Sequence, residues 1–180
     1  MLSKSDKKII LEMHEDVSIY SPWTDPTLFS KIIDELSYPF MNLRVDKVLG
    51  VEARGFILGG AVAYKLNSGF VLARKKDKMY AYDYPKDLVF SEECVDYSGK
   101  KKGLEVERDG KGIKKGDRIL IIDDWYGKGA QGNAAIRLTE RAGGKVVGVG
   151  IMLDEMDEKA RRTFDSYNLH ALMKRVAKDY

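Results

Sequence analysis

Hydrophobic and polar positions along the chain follow two alternating periods. Leu28, Phe29, Ile32, Ile33 and Leu36 recur at helical spacing behind Asp25-Pro26, an N-cap acid followed by proline at the first helical position. Lys47–Val51 reads as a short buried strand, 56–66 as a helix of small apolar residues, and 70–73 as a second strand, stopped by the basic run Arg74-Lys75-Lys76. A β-branched run over 118–122 leads to a helix after Gly132, carried by Ala134, Ala135, Ile136, Leu138 and Ala142, and then to a strand over 146–153. These three segments form a βαβ unit. Residues 3–15 read as a first helix with a thin apolar stripe, 166–173 alternate as a last strand, and a basic tail follows. From Met79 to about Gly116 the chain is polar, rich in Tyr, Lys and Gly and poor in core positions. This stretch reads as a long excursion, a β-ribbon with a mobile tip near 98–103, and such excursions are usually lids or binding loops. Helix and strand patterns in alternation predict an α/β domain with a parallel core sheet.

Composition narrows the class. A length of 180 residues suits one domain with a sizeable core, and the pattern shows no repeats, low-complexity segments or linkers. Hydrophobic content of 44% and charged content of 33% read as soluble and globular. A net charge of +3 gives little support to a nucleic-acid partner. The single cysteine, Cys94, excludes an internal disulfide framework and suits a reducing compartment. The N-terminal residues lack the continuous apolar run of a signal peptide and no window reaches transmembrane length, so the expectation is a cytoplasmic protein without a membrane partner.

The candidate chemistry sits at the end of the third strand. There the apolar run meets two adjacent carboxylates, Asp123 and Asp124, and then Trp125, Tyr126, Gly127, Lys128, Gly129, Ala130, Gln131 and Gly132 before a helix. Backbone N–H groups of such a loop and of the helix N-terminus make an anion site. Acids beside an anion site need a separate purpose. A sugar 5-phosphate supplies it: the loop holds the phosphate while the acids accept hydrogen bonds from a vicinal diol or face a divalent cation, directly or through water.

Two other motif readings and a bland one compete. Gly127 to Gly132 also fits a G-x-G-x-x-G dinucleotide fingerprint, with Asp154 at the distance of a ribose contact. Against it, the acids would repel a pyrophosphate, and too little chain follows for a full dinucleotide domain. A Walker loop fails because no Ser or Thr follows Lys128 at the required spacing. The bland reading is a tight turn with a solvated acidic pair. His14 and His170 lack metal-ligand spacing and read as structural. Trp125 and Tyr126 either pack on the following helix or stack on a base; packing is the slightly favoured reading.

Other segments decide between these. Val48-Leu-Gly-Val-Glu-Ala-Arg-Gly-Phe-Ile-Leu-Gly-Gly60, Gly69-Phe-Val-Leu-Ala-Arg-Lys-Lys-Asp-Lys-Met79 and Asp25-Pro-Thr-Leu-Phe-Ser-Lys-Ile-Ile-Asp34 resemble, in order, segments of the adenine phosphoribosyltransferases, type I phosphoribosyltransferases of purine salvage. The resemblance implies the type I fold, with an N-terminal hood over about 1–40 and a lid over about 79–116. It implies transfer of a 5-phosphoribosyl group from phosphoribosyl pyrophosphate to a purine base, adenine-like, with Mg²⁺ as cofactor and a homodimer as the assembly. Carried over by position, Asp123 and Asp124 meet the ribose hydroxyls and residues 127–132 the 5-phosphate. Ala53, Arg54 and Gly55 form the pyrophosphate turn; Arg74, Lys75 and Lys78 bring cations to the same leaving group; and the loop from Tyr97 through Lys100 to Gly103 closes over the site.

The chain departs from that pattern in places. The family's loop reads D-D-x-x-A-T-G-G-T, and both threonines are replaced here, by Lys128 and Gln131. Lys128 adds a charge-assisted donor in exchange. Xanthine phosphoribosyltransferases share a loop without these threonines and the Ala-Arg-Lys-Lys segment. The lid position that holds a carboxylate in adenine enzymes is Lys100, and the base-covering Phe-Arg-Asp pattern is missing over 17–24. These changes keep an alternative open: a phosphoribosyltransferase fold that binds phosphoribosyl pyrophosphate or a nucleotide as a sensor without turnover.

Overall fold

The computed structural model describes residues 1–15, 22–78, 89–95, 100–107 and 112–175. Its centre is five parallel strands. β1 (Lys47–Val51) pairs on one side with β2 (Gly69–Lys75) and on the other with β5 (Arg118–Tyr126), which leads on to β6 (Lys145–Asp154) and β7 (Leu169–Lys174). An antiparallel ribbon, β3 (Val89–Val95) and β4 (Lys101–Glu107), extends the sheet at the β2 edge and gives the order β3-β4-β2-β1-β5-β6-β7.

Strand residues face two cores, one on each side of the sheet. α1 (Lys4–Glu15), α2 (Pro26–Ser37) and α3 (Arg54–Lys65) cover one face, where Ile10, Ile32, Leu36, Phe40, Leu58 and Val62 pack on Val48, Leu120 and Ile122. α4 (Ala130–Arg141) covers the other face, with Ala134, Ala135, Ile136 and Leu138 against Leu49, Ile121 and Val149. The segment expected as a hood thus joins the main core through α1 and α2. Asp25 caps α2 as its sequence implies, accepting from the N–H groups of Thr27 and Leu28 at 2.8 and 2.9 Å.

Several boundaries move, each for a physical reason. β2 continues through Arg74 and Lys75 because β4 offers them ladder partners, Glu105 and Leu104. β5 carries its strand through both aspartates to Tyr126 because β6 runs beside it as far as Asp154. α3 starts at Arg54 and α4 at Ala130, both earlier than their apolar stripes suggest. The last strand starts later, at Leu169, behind a 3₁₀ turn and Asn168 at φ 49°. The polar excursion is also less detached than its composition suggests. Leu104, Val106 and Ile113 are buried in the core, and Lys101 to Gly103, expected in a mobile tip, lie in β4 paired with β3. No helix among the described residues is long and apolar enough to cross a membrane.

From β1 the chain crosses through α3 to β2, and from β5 it crosses through α4 on the opposite face to β6. Connections therefore diverge from the carboxyl ends of two adjacent parallel strands. That divergence opens a crevice, the general ligand position in open α/β sheets.

Candidate active site

Two turns face each other across the β1/β5 crevice. The first is Glu52-Ala53, joined by a cis peptide bond, which leads into α3 at Arg54. The second is 127–129, which leads into α4 at Ala130. Asp123 and Asp124 stand at the end of β5, only 4% and 8% exposed. The bland reading of a solvated acidic pair is thereby removed.

Each carboxylate has an assigned neighbour. Arg54 Nε lies 3.0 Å from Asp124 Oδ2, and the Asp124 N–H donates to Asp123 Oδ1 at 2.9 Å. Gly55 makes the close approach of α3 possible, since a Cβ there would lie 3.0 Å from Asp123 Oδ1. Burial first, and then the charge of Asp124, push the Asp123 carboxyl well above the ordinary carboxylate range, while Arg54 pulls the other way. One cation beside two buried acids leaves the pocket short of positive charge and of hydrogen-bond donors. Chemically, a vicinal diol is a group that could supply the donors and a divalent cation one that could supply the charge.

The second turn has the form of an anion site, a glycine turn running into a helix. Gly129 caps α4 at φ 69°, a left-handed conformation that glycine adopts without a Cβ penalty, and as glycine it brings no side chain of its own to this helix end. The N–H groups of a first helical turn have no partner within their own helix, which makes such an end a place where an anion can be held. Gly132 lies inside that turn because the Tyr126 ring presses on it: a Cβ at Gly132 would sit 2.4 Å from Tyr126 Cζ. Tyr126 is 2% exposed and stacks at a tilt on Phe164, with centroids 5.4 Å apart. It serves packing against the following helix, as the sequence favoured. Trp125 points elsewhere and is half-buried, with its indole N–H donating to Glu155 Oε2 at 2.8 Å. A cavity of about 90 Å³ is lined by Trp125, Tyr126, the 127–131 turn, Cys94 and Lys102, so the ribbon walls the turn from the side.

Of the cations expected at the pyrophosphate, Arg74 stands beside an unforeseen residue, Glu52. Its Oε2 accepts from the Lys75 N–H at 2.8 Å and lies 3.5 Å from Arg74 Nε. Burial pushes the Glu52 carboxyl up, but the Lys75 amide and Arg74 outweigh it and hold the group below its ordinary value. Lys75 and Lys78 line a groove of about 380 Å³ together with Lys76, Lys101 and Lys102. Gln131 reaches back across the crevice to within 3.5 Å of the Glu52 carbonyl. Most expected site residues therefore come together at the β1/β5 crevice and along the neighbouring end of β2. Lys100 is exposed and stands just before β4, while Tyr97 and the rest of 96–99 lie outside the described residues, as does the side chain of His14. His170 is half-buried edge-on to Phe40, and burial lowers its pKa, which suits the structural role read for it.

Asp154, the ribose-contact candidate of the dinucleotide reading, is fully buried and 2.7 Å from Arg161. It also accepts from the Met156 N–H at 3.0 Å and has no opening to a ligand. Glu52, Glu155 and Arg175 escaped the sequence reading. Their partners lie far away in the chain, and no local spacing marks such contacts.

Comparison with known proteins agrees with this geometry. The phosphoribosyl transferase domain family matches residues 27–178. The adenine phosphoribosyltransferase of Dinoroseobacter shibae is 38% identical over 152 residues, covering 83% of this chain and 80% of that protein. The crystal structure of adenine phosphoribosyltransferase from Rhodothermus marinus superposes with a TM-score of 0.74 at 34% identity, over 85% of this chain and 82% of that one. The Giardia lamblia enzyme, crystallised with 9-deazaadenine, gives a TM-score of 0.73 at 27% identity over 84% and 82% of the two chains. By domain, sequence and fold, the chain belongs to the phosphoribosyltransferase family, alongside the adenine phosphoribosyltransferases.

Proposed function

We propose that the protein transfers the 5-phosphoribosyl group of phosphoribosyl pyrophosphate to a purine base, adenine-like, releasing pyrophosphate in purine salvage. The observation that carries this reading is the buried pair Asp123–Asp124 set between an arginine turn and a helix N-terminus capped by a glycine. Asp123 and Asp124 accept hydrogen bonds from the ribose 2- and 3-hydroxyls. The N–H groups of 127–132 and Lys128 hold the 5-phosphate, and Ala53, Arg54, Gly55, Arg74, Lys75 and Lys78 meet the pyrophosphate.

Held at both ends, the ribose has its anomeric carbon in the crevice between the turns. A ring nitrogen of the base forms the new bond there while the carbon–oxygen bond breaks and its electron pair leaves on pyrophosphate. Positive charge develops on the sugar, so catalysis comes from positioning and from fixed charge near it. The Asp pair lies beside the sugar, and the cations lie beside the leaving group.

The donor set fits Mg²⁺ held mainly by the substrate's own oxygens. Among the described residues no group of three or more His, Cys, Asp or Glu side chains is arranged to cage an ion. Asp123 and Asp124 offer hard oxygens at the sugar, directly or through water. When bound, the ion supplies charge neutralisation of the leaving pyrophosphate.

The same reading takes a second copy of the chain as partner and the cytoplasm as location. Ile57 and Tyr64 on α3 and Phe70 and Leu72 on β2 expose large apolar surface on adjacent elements, which supports self-association. Sedimentation at micromolar concentration tests the homodimer.

Turnover is tested by pyrophosphate release with phosphoribosyl pyrophosphate, Mg²⁺ and a panel of adenine, hypoxanthine, guanine and xanthine. Adenine should give the fastest release. Lys100, standing where adenine enzymes carry a carboxylate, favours the sensor alternative. Tight binding of phosphoribosyl pyrophosphate with no release for any base would establish that alternative instead.

A further inference from the structure

Tyr126 ends β5 with its ring wedged between Phe164 and the first turn of α4. In a helix each Cα–Cβ bond leans toward the N-terminus, so a side chain at position 132 would fill the space on that side of the turn. Glycine leaves the space to Tyr126: the Cβ position lies 2.4 Å from Cζ and 2.7 Å from the hydroxyl oxygen. The phenol oxygen thus stands beside Gly132, in the first turn of α4.

That hydroxyl has no hydrogen-bond partner among the described residues, although Tyr126 is only 2% exposed. A buried donor left unpaired destabilises a fold, and a phenylalanine would fill the ring's place without that penalty. Phenols keep their proton at neutral pH, so the group can donate to an anion. Its neighbours in α4 are donors too. The Asn133 N–H makes the first bond of the helical ladder, to the Gly129 carbonyl at 2.9 Å, so the N–H groups of Ala130, Gln131 and Gly132 precede that ladder. Tyr126 also lines the cavity of about 90 Å³ bordered by the 127–131 turn. Residues 127–132 carry no hydroxyl themselves, since Lys128 and Gln131 stand where the family's loop has threonines.

We infer that the Tyr126 hydroxyl is a further ligand-binding group, donating to an oxygen of the 5-phosphate at the start of α4 in place of the loop's missing hydroxyls. This rests on the transferase reading above and adds a residue to its phosphate site. The ring packs and the hydroxyl binds, so a single oxygen atom separates the two roles.

The test is Tyr126→Phe, read by isothermal titration with ribose 5-phosphate and by thermal unfolding without ligand. The melting temperature should hold or rise, because an unpaired buried group is removed. Affinity for ribose 5-phosphate should fall about tenfold, the scale of one hydrogen bond to a charged group. Adding Gln131→Thr to Tyr126→Phe puts a hydroxyl back on the turn and should recover part of the lost affinity. A wild type that fails to bind ribose 5-phosphate removes the transferase reading and this inference with it. A wild type that binds, matched by Tyr126→Phe, overturns this inference alone. So does a loss of affinity that comes with a lower melting temperature and is not recovered by Gln131→Thr, since disturbed packing then accounts for it.

Discussion

Arg54 is the cation beside the Asp124 carboxylate, 3.0 Å away across the crevice between β1 and β5. The arginine side chain is 40% exposed while the aspartate side chain is 11% exposed, so one partner is fixed in the floor and the other is free to turn toward solvent. That asymmetry suits a residue which guards the acids in the ligand-free protein and meets a phosphate when one arrives. It also leaves Asp123 to be stabilised by a proton, by the Asp124 amide, or by a ligand.

Replacing both acids, Asp123→Asn with Asp124→Asn, should remove ribose recognition while the fold persists. Buried like charges are relieved by the change, so the melting temperature should hold or rise. Activity with phosphoribosyl pyrophosphate should fall about 100-fold or more, the scale of losing preorganised electrostatic contacts. Isothermal titration with ribose 5-phosphate checks the binding, and unchanged affinity would remove the ribose role.

The raised Asp123 carboxyl has a consequence for stability against pH. Folded Asp123 holds its proton more tightly than the unfolded chain does, because burial and Asp124 both penalise its charge. Its stabilising contribution is complete below the unfolded value of about 4 and is lost as pH rises through the higher folded value. The melting temperature of wild type minus that of Asp123→Asn should therefore decline across that window in the ligand-free protein. A difference that stays flat with pH contradicts it.

Gly132→Ala tests the helix start. The new methyl would meet the Tyr126 ring, whose atoms Cζ and Cε2 lie 2.4 and 2.5 Å from the Cβ position. Tyr126 has nowhere to retreat, being wedged against Phe164. Overpacking of this kind costs about 1–3 kcal/mol, measurable by urea unfolding, and should weaken phosphate binding as the first turn of α4 is displaced.

Lys128→Ala should weaken ribose 5-phosphate binding and flatten its salt dependence, since a charge-assisted bond is lost where the relatives' loop uses a hydroxyl. Affinity measured at low and moderate salt decides it. No change at either would return Lys128 to the surface.

Much of the site was legible because its signals are local. Asp123, Asp124 and the following glycines are contiguous, and a β-branched run ending in them announces a strand tip. The pattern did not show that the strand carries the acids within itself, because β6 pairs with β5 through Trp125 and Tyr126. Gly129 rather than Gly132 starts the helix, because a positive φ is readable only in three dimensions. The ribbon's burial was hidden by charge: Leu104 and Val106 alternate with Gly103, Glu105 and Glu107, and only the packing of α4 shows which face counts. Glu52 and Glu155 were invisible for a different reason. Their partners, Arg74 on β2 and Arg175 just beyond β7, belong to other parts of the sheet, and no spacing rule reaches that far.

Glu92 on β3 receives Arg137 Nε at 2.7 Å and Arg141 Nη1 at 2.6 Å, both from α4. Burial pushes this carboxyl up, but the two guanidinium groups hold it below its ordinary value. The ribbon is thereby bolted to α4, the helix whose first turn is proposed to hold the phosphate. A swinging ribbon must either shear two ionic fasteners or drag α4 with it. On the proposed reading, ribbon movement and phosphate grip are in that sense one mechanical part, and a swap at Glu92 would loosen both together.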